Sequence, residues 1–347
     1  MKRKLRGPAV RRHRGMTLIE LLVALGLGLI VVLVATAFLT LAQQGYRAVD
    51  TSTDLRDRER FATDLLSRVI VQAGYQDYGA AKVALRSTDS LSGNDTEPDI
   101  YGWNNAVFAN PAGLTISTTT NIANENRTGS SLCAATDTSC KNGSDILVIR
   151  FQGVNSSTTA TMADNTMLNC AGQGERGLTT GDQNERAASV FHVTRGTNGE
   201  PSLSCSYYKF ATSGAGWVTS TPLIEGVESF QVLYGTDGVT AATVPSTAAG
   251  SQDTVAERWL RADQLTVTAN AAATRENWRR VRAVRIGMVL RGAPGSAQQS
   301  TTATFAPLGS LYASSSDIGS SLSVAADGRL RLASTFTVHL RNDLTLR

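Results

Sequence analysis

The sequence predicts an α+β chain, a long N-terminal α-helix packed on a large antiparallel β-sheet head, and three observations predict it. Residues 21–46 carry no charge and are mostly apolar. Residues 46–73 contain no proline or glycine and repeat apolar residues mostly at every fourth position, the period of one helix face. Beyond residue 75 the pattern changes to short β-branched blocks separated by Ser-, Thr-, Asn- and Gly-rich stretches, the signature of strands and turns.

The first element is a basic leader, residues 1–15. It holds seven positive charges (Lys2, Arg3, Lys4, Arg6, Arg11, Arg12, Arg14) and no acid. The apolar run that follows, Leu21 to Ala42, is about 33 Å long as a helix, enough to cross a bilayer. A basic segment before an apolar one resembles a secretory signal. No small-residue cleavage site ends this one, because it continues into Gln43-Gln44-Gly45-Tyr46. The run therefore reads as retained, residues 16–45 as a membrane-spanning helix, and everything beyond as exported, since flanking positive charge stays cytoplasmic. The leader also distorts the composition. The whole chain carries +4; removing seven positives leaves −3 for residues 16–347. A nucleic-acid partner has little left to recommend it, because the basicity belongs to a topogenic segment rather than to a binding face.

Residues 46–74 continue the helix into the head. Val49, Phe61, Leu65, Val69 and Ala73 outline its apolar face, Asp54 and Arg58 form an i,i+4 pair, and Gly74-Tyr75 ends it. The head, residues 75–347, shows strand-like runs at 145–151, 188–194, 203–210, 227–234, 280–291 and 332–341. The stretch 280–291 interleaves Val281, Ala283, Ile286, Met288 and Leu290 with Arg280, Arg282, Arg285 and Arg291, slipping near Val284. Its arginines, with Arg279, form one exposed face or pair with acids. Residues 112–131, 153–187, 235–256 and 292–303 read as loops, and 260–277 as a short helix or loop between Trp259 and Trp278. No internal repeat or interdomain linker is evident.

Four cysteines lie on the exported side, where disulfides persist. Proximity favours Cys133–Cys140 and Cys170–Cys205, although four cysteines permit three pairings. The chain has no C-x-x-C pair, and His13, His192 and His339 are scattered. Asp95, Glu97 and Asp99 alternate in a loop, with Asp137 and Asp145 near the first cysteine pair. Such oxygen ligands suit a calcium ion, and plain solvation is the rival reading. No hydrolase, nucleotide-binding or zinc-protease motif occurs, and His192 and His339 each sit in a strand-like run, where packing is commoner than catalysis. Enzymatic activity is not expected.

The segment Gly15-Met16-Thr17-Leu18-Ile19-Glu20 resembles the class III signal of type IV prepilins and type II secretion pseudopilins. The resemblance implies a cut between Gly15 and Met16, methylation of the new N-terminus, and an assembly role for Glu20. That family usually has Phe where this chain has Met16. Residues 61–75, 227–237, 278–286 and 336–342 are similar to segments of PilW-type minor pilins. The resemblance touches both ends and the middle of the chain, while 80–140 and 153–187 match nothing recognisable. It implies a type IV pilin-like fold and a low-abundance subunit that helps initiate pilus assembly near the tip. Implied partners are prepilin peptidase, the inner-membrane assembly platform, other minor pilins and the major pilin through the helix, and a tip adhesin where one is present. The implied location is the inner membrane before assembly and the pilus afterwards. The nearest alternative is a J-type pseudopilin, which would prime a secretion pseudopilus.

Glu20 fits an assembly role on physical grounds. An isolated carboxylate at membrane depth is unfavourable. Cleavage after Gly15 would create an ammonium at the same depth, which a neighbouring helix could offer to Glu20. Such a pair in low dielectric fixes register steeply.

Overall fold

A computed structural model describes residues 15–77, 98–106, 108, 142–156, 162–177, 186–196, 198–209, 216–247, 252–297 and 301–342. Cys133, Cys140, Asp95, Glu97 and Asp137, most of the leader and the 112–131 loop lie outside them.

One α-helix, α1 (Leu18–Val71), carries both the apolar run and its amphipathic continuation. Residues 72–74 close it as a turn, Gly74 adopting φ 73°. Residues up to Asp50 form one compact unit and those from Thr51 a second. In the first unit the large apolar side chains are all exposed, and the hydroxyls of Thr36 and Thr40 donate back to the carbonyls of Leu33 and Ala37. The helix thus satisfies its own polar groups, as a hydrocarbon environment requires.

In the second unit, α1 buries Thr51, Leu55, Ala62, Leu66, Val69 and Ile70. This corrects the expected face in part: Val69 and Ala73 are buried and Leu65 packs against the core, but Val49 and Phe61 are exposed, Phe61 by 54%. Toward the start of the second unit the inner face includes Thr51. A Cβ added at Gly292 would lie 2.3 Å from Thr51 Cγ2, so a glycine lets a polar residue approach the backbone there and puts Thr51 on the inner face.

Two antiparallel sheets build the head. The first is a meander of β1 (Ile100–Trp103), β2 (Ile146–Phe151), β3 (Ala187–Arg195), β4 (Pro201–Lys209) and β5 (Gly216–Glu225), in that order. The second runs β11 (Arg331–His339), β8 (Val281–Arg291), β6 (Val227–Thr236) and β7 (Arg258–Leu260). A small ribbon pairs β9 (Ala303–Phe305) with β10 (Leu322–Val324). All six expected strands are present; β1, β5, β7, β9 and β10 are additional. The short helix α2 (Ala271–Arg279) takes up the end of the ambiguous 260–277 stretch and runs on through Trp278, and Asn270 caps it by accepting from the Ala273 N–H. Leu66 and Ile70 of α1, Ile149 and Phe191 of the first sheet, and Phe230, Ile286 and Met288 of the second belong to one buried cluster.

The slip expected near Val284 is a bulge. Gly235 pairs with Ala283, but Thr236 pairs with Val281, leaving Arg282 as the extra residue. Of the two fates open to the arginines, pairing holds and the exposed face does not. Arg282 Nε donates to Asp237 at 3.3 Å and Arg280 Nε to Glu276 at 3.2 Å. Arg279, Arg280 and Arg282 are buried. Arg285 lies 4.1 Å over the Trp259 ring and donates to the Tyr312 hydroxyl at 2.7 Å. Burying cations demands such partners.

Candidate functional site

Residues 15–17 are irregular and α1 begins at Leu18. Thr17 is its N-cap: the Glu20 N–H donates to Thr17 Oγ1 at 3.3 Å, while the Thr17 N–H and hydroxyl both donate to Glu20 Oε2 at 3.0 Å. This reciprocal exchange is a capping box, in which the first and fourth residues satisfy each other's orphan groups. Its signature, Thr-x-x-Glu ahead of an apolar run, is legible in the sequence and gives Glu20 a local role besides its charge. Glu20 also places its negative charge at the positive end of the helix dipole. Oε2 takes both Thr17 donors, and Oε1 takes none among the described residues, so one oxygen of this exposed carboxylate is left without a donor. Met16 is 67% exposed, and a Cβ at Gly15 would meet nothing within 4 Å. The Gly15–Met16 bond therefore sits in open, non-helical backbone two residues before the helix.

From Leu21 onward no charge interrupts the helix until Arg47, and the helix is long and apolar enough to cross a membrane. Residues 10–36 match the prokaryotic N-terminal methylation motif. Residues 190–342, from within β3 to just beyond β11, match the type IV pilus-assembly protein W family. This part of the chain is similar to the PilW family. A type IV-like pilin from Thermus thermophilus is similar over 83% of this chain and 97% of its own, with 13% identity and a TM-score of 0.35. No curated protein matches the chain.

In the head, Cys170 and Cys205 form a disulfide, their Cα atoms 6.1 Å apart. It ties the loop around Asn169 to the middle of β4, and the Cys170 N–H donates to Ser189 Oγ. His192 is 1% exposed on β3. Its Nε2 lies 3.0 Å from Ser206 Oγ and its ring stacks on Phe108 at 4.3 Å. Burial pushes its pKa down to about 3, so it is neutral and sealed, a packing residue rather than an acid–base group. His339 is exposed at the end of β11.

Asp99 and Asp145, the described members of the acidic set, both have partners. Asp99 pairs with Arg186, both side chains 3% exposed. Asp145 accepts from the Asn105 N–H at 2.8 Å and the Val232 N–H at 2.7 Å, joining the start of β2 to β6. Burial pushes the Asp145 carboxyl pKa up. The two are structural groups that bind neighbouring elements together. A different acidic trio, Asp237, Asp253 and Glu257, brings carboxylate oxygens within 4.8 Å of one another. Asp237 already receives Arg282 and the Thr254 N–H, and Glu257 the Gly238 N–H.

Proposed function

We propose that this chain is a minor pilin: a low-abundance structural subunit, cut between Gly15 and Met16, that helps initiate type IV pilus assembly with other minor pilins near the tip. It waits in the inner membrane on its single helix with the head in the periplasm, and passes to the pilus on assembly. The coincidence at one end of the chain carries this reading. A methylation motif, an uninterrupted apolar helix with no buried side chains, and an exposed carboxylate with one oxygen left without a donor all fall within residues 10–45. The two oxygens of the Glu20 carboxylate then act separately, Oε2 holding the first helical turn and Oε1 accepting the N-terminal ammonium of a neighbouring helix. The partners are the peptidase that cuts the leader, the membrane platform that extracts the helix, the other pilins that pack on it, and a tip adhesin where one is present. A role by packing rather than chemistry agrees with the sealed His192 and the paired acids.

Intact-mass analysis of the mature chain and piliation of a complemented strain test this together. Wild type should begin at a methylated Met16. Glu20→Ala should be cut at the same bond yet be lost from sheared pili. An uncut wild-type chain, or normal incorporation of Glu20→Ala, would count against the reading.

A further inference from the structure

Sheet edges differ sharply in how they are protected. β7 has three residues, and β9 and β10 three each. β1 has four, all buried. β5 is longer but contains Pro222 and pairs with β4 through two register shifts. Each device blunts an edge. β11 has none of them. It runs nine residues, Arg331 to His339, without proline, glycine or lysine, and pairs with β8 through nine consecutive positions without a shift.

The ladder shows which backbone groups are already used. The Leu340 N–H donates to the Arg282 carbonyl, and the Gly292 N–H to the Leu330 carbonyl. Both contacts extend the β8–β11 register, so the even-numbered residues 332 to 338 turn their N–H and C=O toward β8. Ala333, Thr335 and Thr337 turn theirs away, and among the described residues those N–H groups meet no acceptor. Their side chains are exposed, whereas Leu332 and Phe336 pack against the core and Val338 belongs to it.

We propose that β11 is a docking edge, on which an extended strand from a different pilus subunit adds to the second sheet. This rests on the pilus reading and names the surface of the head that would serve it. Strand addition supplies affinity through main-chain hydrogen bonds and specificity through alternate side chains. The exposed charge at the far end of the edge is Arg341, with Arg285 reaching Thr337 Oγ1. A complementary strand therefore carries an acidic residue at that end and small or polar residues opposite Thr335. A second copy of this chain fits poorly. Antiparallel self-pairing at the fullest overlap, centred on Thr335, sets Arg341 opposite Arg329, whose charge already goes to Glu200, so a second copy brings no acid to Arg341.

The test compares the purified full-length chain with the complex it forms when co-expressed with the pilus subunits of its own host. Residue-resolved hydrogen–deuterium exchange should show Ala333, Thr335 and Thr337 exchanging fast in the isolated chain and at least tenfold slower in the complex. Ala333→Pro removes one outward N–H and no ladder bond, a substitution edge strands accept. It should retain the melting temperature but lower subunit recovery at least fivefold, while Ala333→Thr recovers as wild type does. If the proline variant does not fold, the exchange measurement on wild type decides alone. Unprotected outward amides in a complex that forms, full recovery by a folded proline variant, or a β11-paired dimer of the pure chain would overturn the docking edge. Wild type recovering no pilus subunit at all would instead overturn the pilus reading, and the docking edge with it.

Discussion

Replacing His192 by glutamine removes an imidazole that the fold keeps neutral, and the consequence is a change in acid sensitivity that can be worked out beforehand. In the folded head the ring titrates at about 3 because burial disfavours its charged form; in the unfolded chain it titrates near 6.5. Between these values the unfolded state binds a proton that the native state refuses, so stability is full above about pH 6.5 and falls as the pH drops toward 3. Linkage puts the loss at about 2 kcal/mol by pH 5 and about 3 kcal/mol by pH 4. Asp145 works in the opposite sense, since its raised pKa lets the native state hold a proton more tightly and adds stability toward acid. That contribution is common to both proteins and cancels in the comparison. Glutamine can still bond Ser206 and has no proton to gain. Urea unfolding of the detergent-solubilised chain, followed by fluorescence of the buried Trp103 and Trp278, should show wild type losing about 2 kcal/mol more than His192→Gln between pH 8 and pH 5. Parallel decline of the two proteins would refute the sealed-imidazole account.

Three further outcomes follow from the packing. A Cβ at Gly102 would lie 2.2 Å from both the Ile146 carbonyl oxygen and the Tyr234 hydroxyl, so Gly102→Ala should cost about 1–3 kcal/mol in thermal or urea unfolding. Opening the Cys170–Cys205 bond, which spans 35 residues, by a double Cys→Ser change should cost about 4 kcal/mol on the chain-entropy account, read from the same unfolding curves. Glu228 is buried between Arg291 and Arg331, 3.3 Å and 2.7 Å away; Glu228→Ala removes one of the two carboxylates each guanidinium pairs with, leaving Glu200 on Arg291 and Asp327 on Arg331, and should cost about 2 kcal/mol, whereas an exposed control such as Asp64→Ala should cost under about 1 kcal/mol.

The parts of the fold that depend on local rules were the legible ones. The uncharged run after Glu20 needs no tertiary context to be a membrane-length helix, and β-branched blocks such as residues 146–151 declare themselves. The inner face of α1 was not legible in detail, because Thr51 packs inward only where Gly292 makes room for it. Strand β5 hid behind Gly216, Pro222 and a run of Ser and Thr, and β1 behind Gly102, whose missing Cβ is required by Tyr234 rather than by any turn. The arginines of β8 were ambiguous because strand periodicity fixes which face a residue takes but not what covers that face; Trp259 and Tyr312 come from distant segments. At the N-terminal site the sequence displayed both the charge of Glu20 and the threonine three residues before it. Only the hydrogen bonds showed that the two form one unit.

That unit lies wholly downstream of Gly15. A peptidase acting at Gly15–Met16 would remove the basic leader without touching a single hydrogen bond of the first turn, since Thr17 and Glu20 hold that turn between themselves. Maturation would then be a change of electrical state rather than of shape: the anchor that enters assembly is the helix that was already in the membrane, differing by seven lost positive charges and one new amine. On the minor-pilin reading, commitment to a filament follows from a cut that leaves the first turn's own hydrogen bonds intact.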